Sequence, residues 1–185
     1  TKAAEKNIEV TALIHPRVPK VLRGDESKLR QLLINLIGNA VKFTEEGGVI
    51  VTVKCVADGN GRAFLDIDVI DTGVGIPQTL LPSLFDAYSR DKRMEEKSVE
   101  GTGLGLAIVK QLAGKMSGSI RVDSEMKRSS TFMLRSPFGM EETANIGRAQ
   151  PVPESREVML GGNVVLEKAL ALQLKLAGAT DIITT

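Results

Sequence analysis

The sequence predicts an α/β two-layer sandwich of the α+β kind, with a mixed, largely antiparallel sheet that carries its helices on one face. Two observations lead to this fold class. Segments 49–57 and 63–71, and later 119–125 and 130–136, alternate apolar with polar residues, which is typical of β-hairpins. Segment 26–43 and a glycine-started segment further along repeat apolar residues every three or four positions, which is typical of amphipathic helices.

The other elements complete this arrangement in chain order. A β-branched segment at 8–14 predicts the first strand, which the prolines of HPRVPK stop. The first long helix runs from about Glu26 to Phe43, opened by a Gly-Asp pair and ended by EEGG. Segment 80–86 predicts a short helical piece, and the second long helix ends near Met116. Strand, helix, hairpin, helix and hairpin in this order predict a mixed sheet.

The bulk composition is that of a globular protein with a small net charge. Of the 185 residues, 42% are hydrophobic and 25% charged, and the formal net charge is +1. Such a charge gives no reason to expect a nucleic-acid partner, and no apolar run reaches the roughly 18 to 20 residues that span a bilayer. A single cysteine, Cys55, fits a reducing compartment, so a cytoplasmic location is expected. The start without methionine fits a piece of a longer protein, whose membrane attachment stays open.

The composition divides the chain into three parts. Residues 1–139 carry the sheet and helix signals described above. Residues 140–156 are mostly polar and contain two prolines, as expected of a linker. Residues 157–185 predict a strand, a helix and the start of another strand.

The first long helix has a polar edge beside its leucine stripe. Asn35, Asn39 and Lys42 fall within about 60° of one another at about 100° per residue. Amide oxygens can complete the shell of a hard cation that bridges phosphates, and a lysine can meet a phosphate oxygen. An ordinary solvated edge is the alternative, although glutamate and lysine would fill it with better helix propensity.

Two glycine-containing turns offer further ligand groups. In DTGVGIP, Asp71 ends a strand and could accept a hydrogen bond from an exocyclic amine such as that of adenine, or simply cap a tight turn. In GTGLGLA the glycines stand at a helix start, where exposed amides and the helix dipole favour phosphate. The spacing is not GxGxxG and the pattern GxxxxGK[ST] is absent, which disfavours dinucleotide-binding and P-loop folds.

Together these motifs resemble the catalytic ATP-binding domain of sensor histidine kinases, in the gyrase, chaperone, histidine kinase and MutL superfamily. QLLINLIGNAVKFT resembles the N-box, DTGVGI the G1 box, LFDAYSR the F-box, and GTGLGLAIVKQLAGKMSGSI the G2 box with its helix. The boxes cover residues 24–120, and flanking strands extend the likeness to about 5–138. The F-box departs from the commoner FEPF, since Tyr88 replaces a phenylalanine. The resemblance implies the Bergerat ATP-binding fold.

The resemblance also implies roles and two cofactors, ATP and Mg²⁺. Asn39 would bind the Mg²⁺ that bridges the ATP phosphates, with Asn35 near the same ion and Lys42 on a phosphate, while Asp71 would hold the adenine amine. Asn35 and Lys42 are candidate catalytic residues together with Arg90, at a position where relatives often place a cation for the γ-phosphate, and 89–100 would be the ATP lid. The further positions implied in nucleotide binding are Gly73, Gly75, Ile76, Tyr88, Gly101, Thr102, Gly103, Leu104 and Gly105.

The implied function is that of a protein-histidine kinase. It would transfer the γ-phosphoryl group to a histidine on a separate dimerisation domain of the same parent chain, for relay to a downstream response regulator or receiver domain; the parent would be compatible with a homodimer. ATPases of the gyrase and MutL type resemble one another in having glutamate at the place of Asn35, and an amide cannot replace that base. A non-catalytic nucleotide-binding or scaffolding module remains an alternative, as do the related serine kinases that inhibit sigma factors.

Two further features bear on the parent protein. His15, the single histidine, stands at a strand end beside prolines, so the phosphoacceptor is expected outside this chain. Residues 157–185 resemble the opening of a receiver domain, as found in hybrid histidine kinases, but Gly161-Gly162 replaces the acidic pair of a working receiver. A pseudo-receiver is therefore expected; the alternative is a plain C-terminal helix at 164–176 that packs on the kinase domain or a partner.

Overall fold

The computed structural model describes residues 2–58, 61–87 and 103–140, and the backbone of two short strands at 159–160 and 183–184. In chain order the elements are α1 (Lys2–Glu5), β1 (Glu9–Ile14), β2 (Leu22–Arg23), α2 (Glu26–Phe43), β3 (Gly48–Ala57), β4 (Arg62–Asp71), a 3₁₀ turn (Leu81–Ser83), α3 (Gly105–Lys115), β5 (Ser119–Glu125), β6 (Ser129–Met140), β7 (Met159–Leu160) and β8 (Ile183–Thr184).

Six strands form one mixed sheet in the order β1-β3-β4-β6, and β6 carries both β5 and β2 on its outer edge. The β1–β3 pair is parallel, whereas the β3–β4, β4–β6, β5–β6 and β2–β6 pairs are antiparallel. The parallel pair is possible because α2 lies between β1 and β3 in the chain and provides the crossover. The predicted mixed, largely antiparallel sheet is confirmed.

The two long helices pack on one face of this sheet, and the core lies between the layers. The inward positions of β4 are buried at every second residue, as its alternating pattern predicts. They meet the leucine stripe of α2 and the apolar side of α3. The largest wholly buried side chains of this core are Leu32, Leu36, Val49, Val69, Val109 and Leu134.

Both ends of α2 are capped: the start by Asp25 of the predicted start signal, and the end by Thr44, which directly precedes the predicted EEGG stop. At the start, the Asp25 carboxylate accepts the backbone N–H of Lys28 at 2.9 Å. At the end, Thr44 donates its backbone N–H and its hydroxyl to the carbonyl of Ala40, at 3.0 and 2.7 Å. The helix therefore spans the predicted limits, Glu26 to Phe43.

Some elements differ from their prediction. The last strand of the sheet, β6, continues to Met140 because Gly139 and Met140 pair with β2, an element too short to leave a pattern in the sequence. The predicted helical piece at 80–86 is a series of i→i+3 turns around the Leu81–Ser83 3₁₀ turn. The short helix α1 was not predicted either, since four residues carry no measurable periodicity.

The face of the sheet that carries no helix is not wholly polar. Leu13 and Ile50 are buried there, with Ile70 packed against them. Thr52 donates its hydroxyl to the Asp68 carboxylate at 3.2 Å on the same face. None of the helices in the described ranges is long and apolar enough to cross a membrane.

In the C-terminal part, β7 and β8 pair in parallel, with Met159 opposite Ile183 and Leu160 opposite Thr184. The linker after Met140 and the predicted helix at 164–176 lie outside the described residues.

Candidate functional site

The polar edge of α2 is half-buried beside the leucine stripe, in which Leu32 and Leu36 are wholly buried. Asn35 and Asn39 follow each other along it by one turn, and Lys42 stands in the last turn. The Lys42 ammonium lies 4.8 Å from the ring centroid of Phe43, a cation–π distance that holds the lysine stem against the helix end. The edge is therefore neither part of the core nor freely solvated.

Asn35 has an amide nitrogen that is buried without a hydrogen-bond partner among the described residues. Its oxygen accepts a long hydrogen bond, 3.4 Å, from the Gln31 amide. A buried unpaired donor costs about 1–3 kcal/mol. Rotation by 180° would exchange nitrogen and oxygen, so the same side chain can present an acceptor to this position. A buried amide nitrogen without a partner calls for an explanation, and a polar ligand beside α2 would supply one.

Asn39 lies against the start of α3. A methyl group added at Gly105 would stand 3.8 Å from the Asn39 amide nitrogen, an ordinary van der Waals contact. Helices α2 and α3 pack against each other, which brings the polar edge to this helix start. The first and third predicted motifs, the polar edge of α2 and the glycine-containing helix start, are thus spatial neighbours although Asn39 and Gly105 are 66 residues apart in the chain (105 − 39 = 66).

The start of α3 has the properties of an anion site. Leu104 stands at its N-cap and offers no side-chain hydrogen bond to the first turn. Gly103, just before, has φ +70°, a conformation that glycine adopts at little cost. Amides at such a start, with the positive end of the helix dipole, attract negative groups.

Asp71 ends β4 and is only 4% exposed. It accepts the backbone N–H of Gly73 at 2.9 Å and hydrogen bonds from the backbone and side chain of Ser130, its partner across the β4–β6 pair. Burial raises the pKa of the Asp71 carboxyl above its ordinary value of 3.8, against the lowering effect of these hydrogen bonds. A buried acceptor with spare lone pairs can recognise a donor on a ligand.

The turn after Asp71 is packed so closely that two of its positions require glycine. A Cβ at Gly73 would lie 2.9 Å from the Asp71 carboxylate and would overlap the carbonyl of Phe43. Gly75 has φ +68°, and a Cβ there would lie 2.8 Å from the carbonyl carbon of Glu125. The turn is therefore pressed between the end of α2 and the β5–β6 hairpin.

Backbone hydrogen bonds fix this turn from both sides. Val74 donates its N–H to the carbonyl of Phe43 at 3.3 Å and accepts the N–H of Lys127 at 2.7 Å. The first bond joins the turn to the last residue of α2, and the second joins it to the β5–β6 connection. The Asp71 turn is consequently joined to the C-terminal end of α2 and to the β5–β6 hairpin.

Ser124 and Ser130 were missed by sequence reasoning. Both are buried; Ser124 accepts the backbone N–H of Ile76 at 2.8 Å, and its oxygen lies 3.1 Å from that of Ser130. The signal in the sequence is weak but real, because both serines occupy inward positions of strands whose other inward residues are mostly apolar. The two hydroxyls connect the Asp71 carboxylate to the far end of its turn.

Some predicted site residues lie outside the described part of the chain. These are Tyr88, Arg90, Gly101 and Thr102, with the predicted lid at 89–100. Ile76 is half-buried against the main core, where it closes the turn side of the site. The described residues contain no cluster of three or more His, Cys, Asp or Glu side chains that could hold a metal ion by themselves. A cation at this site would depend on amide oxygens and on the ligand's own phosphates.

Comparisons with known proteins show which family the chain resembles. The sequence profile described as "Histidine kinase-, DNA gyrase B-, and HSP90-like ATPase" matches residues 24–140. The chain is 39% identical over 156 residues to the sensor histidine kinase RcsC of Salmonella typhimurium, covering 84% of this chain and 15% of RcsC. It is 34% identical over 186 residues to the sensor protein GacS of Pseudomonas syringae, covering 98% of this chain and 20% of GacS.

Among solved structures, full-length ShkA in complex with AMPPNP superposes with a TM-score of 0.78 at 34% identity, covering the whole of this chain and 36% of ShkA. The chain thus spans between about a seventh and about a third of these relatives. With a profile match over more than half of its length and the site geometry above, the chain belongs to the family of histidine kinase-, DNA gyrase B- and HSP90-like ATPases.

Proposed function

We propose that residues 1–139 are the catalytic module of a two-component sensor histidine kinase. They would bind Mg·ATP and transfer its γ-phosphoryl group to a histidine on a separate dimerisation domain of the parent chain. The observation that carries this proposal is the convergence of three separate motifs: the polar edge of α2, the buried Asp71 turn and the start of α3. The named relatives RcsC and GacS, a sensor histidine kinase and a sensor protein, support it.

The base would bind at the Asp71 turn. A buried carboxylate that already accepts N–H groups has lone pairs left for the exocyclic amine of adenine. Gly73 and Gly75 keep side chains away from the turn, so a flat ring can approach the backbone. Ile76 would give the apolar contact on the turn side.

The phosphates would lie between the polar edge of α2 and the start of α3. Asn39 and Asn35 would hold Mg²⁺ through their amide oxygens, and for Asn35 this requires the 180° rotation that puts its oxygen where the nitrogen now lacks a partner. The ion, when bound, neutralises charge on the phosphate oxygens.

Lys42 would contact a phosphate oxygen. The amides that follow Gly103 and Leu104, at Gly105 and beyond, would bind phosphate at the positive end of α3. Arg90, Tyr88, Gly101 and Thr102 would complete this site from outside the described residues.

Transfer to a protein nucleophile fits this site better than hydrolysis. Asn35 stands where the resembling ATPases have glutamate, and an amide cannot take a proton from water near neutral pH. The chain's one histidine, His15, accepts the backbone N–H of Arg17 at 3.1 Å in the turn that follows β1. The acceptor histidine would therefore come from the dimerisation domain, and catalysis would rest on positioning and charge neutralisation.

The C-terminal residues 157–185 would form the opening of a receiver-like domain, joined by a linker at 140–156. The parallel pairing of β7 with β8 supports this, because the first two strands of an open α/β sheet pair in parallel across a helix. Gly161-Gly162 offers no carboxylate after β7, so this unit would be a pseudo-receiver. The parent would then relay the phosphoryl group to another receiver domain or to a response regulator.

Two measurements test the proposal. Calorimetric titration with AMPPNP and Mg²⁺ should show binding that weakens strongly without the metal. Incubation with γ-labelled ATP should then label an added histidine-containing dimerisation domain, but not the chain alone. Nucleotide binding without transfer would favour the scaffolding alternative, and rapid phosphate release would favour an ATPase. Label on His15 would contradict the assignment of the acceptor.

A further inference from the structure

The C-terminal end of α2 has an unusual set of partners. An α-helix ends with four carbonyl groups that have no partner within the helix. Here the carbonyl of Ala40 is used by Thr44 and that of Phe43 by Val74, as described above. The carbonyl groups of Val41, Lys42 and Thr44 have a different partner.

A single ammonium group accounts for them. Lys6 Nζ donates to the carbonyl of Lys42 at 2.8 Å, to that of Val41 at 3.1 Å and to that of Thr44 at 3.1 Å. An ammonium has three donors, and all three have a partner here. Its positive charge also stands at the negative end of the helix dipole. Lys6 therefore caps α2 from a segment more than thirty residues away (41 − 6 = 35).

The backbone around Lys6 is itself held in place. Asn7 has φ +55°, and its N–H donates to the carbonyl of Ala4 at 3.2 Å, so that the chain turns sharply between α1 and β1. The next residue, Ile8, is buried in the main core, and Glu9 donates to the carbonyl of Gly47 at 3.3 Å. The backbone that carries the Lys6 side chain is thus held in place by the hydrogen bonds of Asn7 and Glu9 and by the burial of Ile8.

The same end of α2 supports the candidate nucleotide site. Phe43, whose two neighbours accept from Lys6, is the residue that accepts the N–H of Val74 in the Asp71 turn. Lys42, one of those neighbours, carries the candidate phosphate contact, and Asn39 lies one turn earlier. The orientation of the peptide groups at 42–44 therefore sets the position of the Asp71 turn relative to the Lys42 side chain.

We propose that Lys6 is a positioning residue of the nucleotide site, which holds the end of α2 and couples the 2–9 segment to ligand binding. This inference rests on the proposed function, since it assumes that the site binds Mg·nucleotide. Coupling of this kind is reciprocal: nucleotide binding should stabilise the 2–9 segment as much as that segment strengthens nucleotide binding.

The experiment compares wild type with Lys6→Met, Lys6→Arg and Lys20→Met. Met keeps most of the side-chain length without donors, Arg keeps donors and charge, and Lys20 is an exposed lysine of the loop after β1. Affinity for Mg·AMPPNP is measured by calorimetry well below the melting temperature of every variant. Hydrogen exchange of the amides of residues 2–9 is measured with and without nucleotide.

For Lys6→Met we expect affinity about tenfold weaker, the effect of one charge-assisted hydrogen bond, and no nucleotide-induced protection of residues 2–9. Lys6→Arg should recover most of the affinity, and Lys20→Met should behave as wild type. Wild-type affinity in Lys6→Met would overturn the inference even if its melting temperature fell, because that result would mark a purely structural cap. Wild type that fails to bind the nucleotide would instead overturn the proposed function.

Discussion

Ser124 accepts the backbone N–H of Ile76 at 2.8 Å, across forty-eight residues of chain. Through this hydrogen bond the β5–β6 hairpin holds the far end of the turn that begins at Asp71. The near end is held by Ser130, which donates to the Asp71 carboxylate. Since Ser124 and Ser130 touch each other, one buried pair of hydroxyls controls both ends of the proposed base-binding turn.

Replacement of Ser124 by alanine should therefore weaken both stability and nucleotide affinity. The Ile76 N–H would lose its acceptor, which costs about 1–2 kcal/mol in the free energy of unfolding. Urea denaturation and titration with Mg·AMPPNP measure the two effects. Ser119→Ala is the matched control, because Ser119 is exposed at the start of the same strand and should change stability by less than about 0.5 kcal/mol. Equal behaviour of the two variants would mean that the hydroxyl pair does not hold the turn.

Substitution of Asp71 by asparagine should raise the free energy of unfolding near neutral pH and weaken nucleotide affinity. Asparagine keeps an oxygen for the Gly73 N–H but carries no charge, so the cost of burying a carboxylate disappears. Because the pKa of Asp71 is raised in the folded protein, its contribution to the free energy of unfolding is fully present below the ordinary value of 3.8. That contribution is lost as the pH rises through the folded pKa. Asp71→Asn should thus match wild type at the acidic end and become more stable than wild type as the pH rises through the folded pKa of Asp71, above which the difference stays constant.

Nucleotide affinity of the same variant should move in the opposite direction. Loss of a charged acceptor for the base amine should weaken Mg·AMPPNP binding by at least about tenfold at neutral pH. Denaturation at several pH values and calorimetry at pH 7.5 together check the pair of effects. Retained affinity would remove Asp71 from the site, and a pH-independent stability difference would argue against its buried charge.

Gly75 should tolerate alanine poorly. Its φ of +68° lies in the left-handed region, and a Cβ would overlap the backbone of Glu125. We expect Gly75→Ala to lower the free energy of unfolding by more than about 2 kcal/mol. The control is Gly38→Ala, on the open surface of α2 with nothing near the added methyl, which should raise stability by about 0.5–1 kcal/mol. Differential scanning calorimetry should show a lower melting temperature for Gly75→Ala and a higher one for Gly38→Ala than for wild type.

The sequence predicted the long elements well and the contacts of the site poorly, for physical reasons. Helix α2 has an acidic N-cap, an apolar stripe and a glycine stop, all local signals, and its limits agree with the prediction. Strand β2 and helix α1 are two and four residues long and exist only through their tertiary partners. No local pattern could identify them.

The same distinction applies to the candidate site. Asn35, Asn39 and Asp71 stood out because polar residues interrupt apolar periodicity there. Ser124 and Ser130 did not, since serine is common in strand ends and turns and only burial reveals their hydrogen bonds. Lys6 gave no signal at all, because its partners are backbone carbonyls that no sequence pattern marks.

Replacement of Asn35 by alanine should have opposite effects on the stability of the free protein and on its stabilisation by nucleotide. Its buried amide nitrogen lacks a partner, and alanine has the better helix propensity, so Asn35→Ala should raise the stability of the free protein by about 0.5–1 kcal/mol. The upward shift in melting temperature caused by Mg·AMPPNP should shrink at the same time, because ligand stabilisation follows the affinity. Gln31→Ala removes the 3.4 Å hydrogen bond to the same side chain but leaves the amide, and its nucleotide-induced shift should equal that of wild type. If Asn35→Ala keeps the full shift in the presence of Mg²⁺, the amide is a tolerated packing defect and not a ligand of the ion or the phosphates.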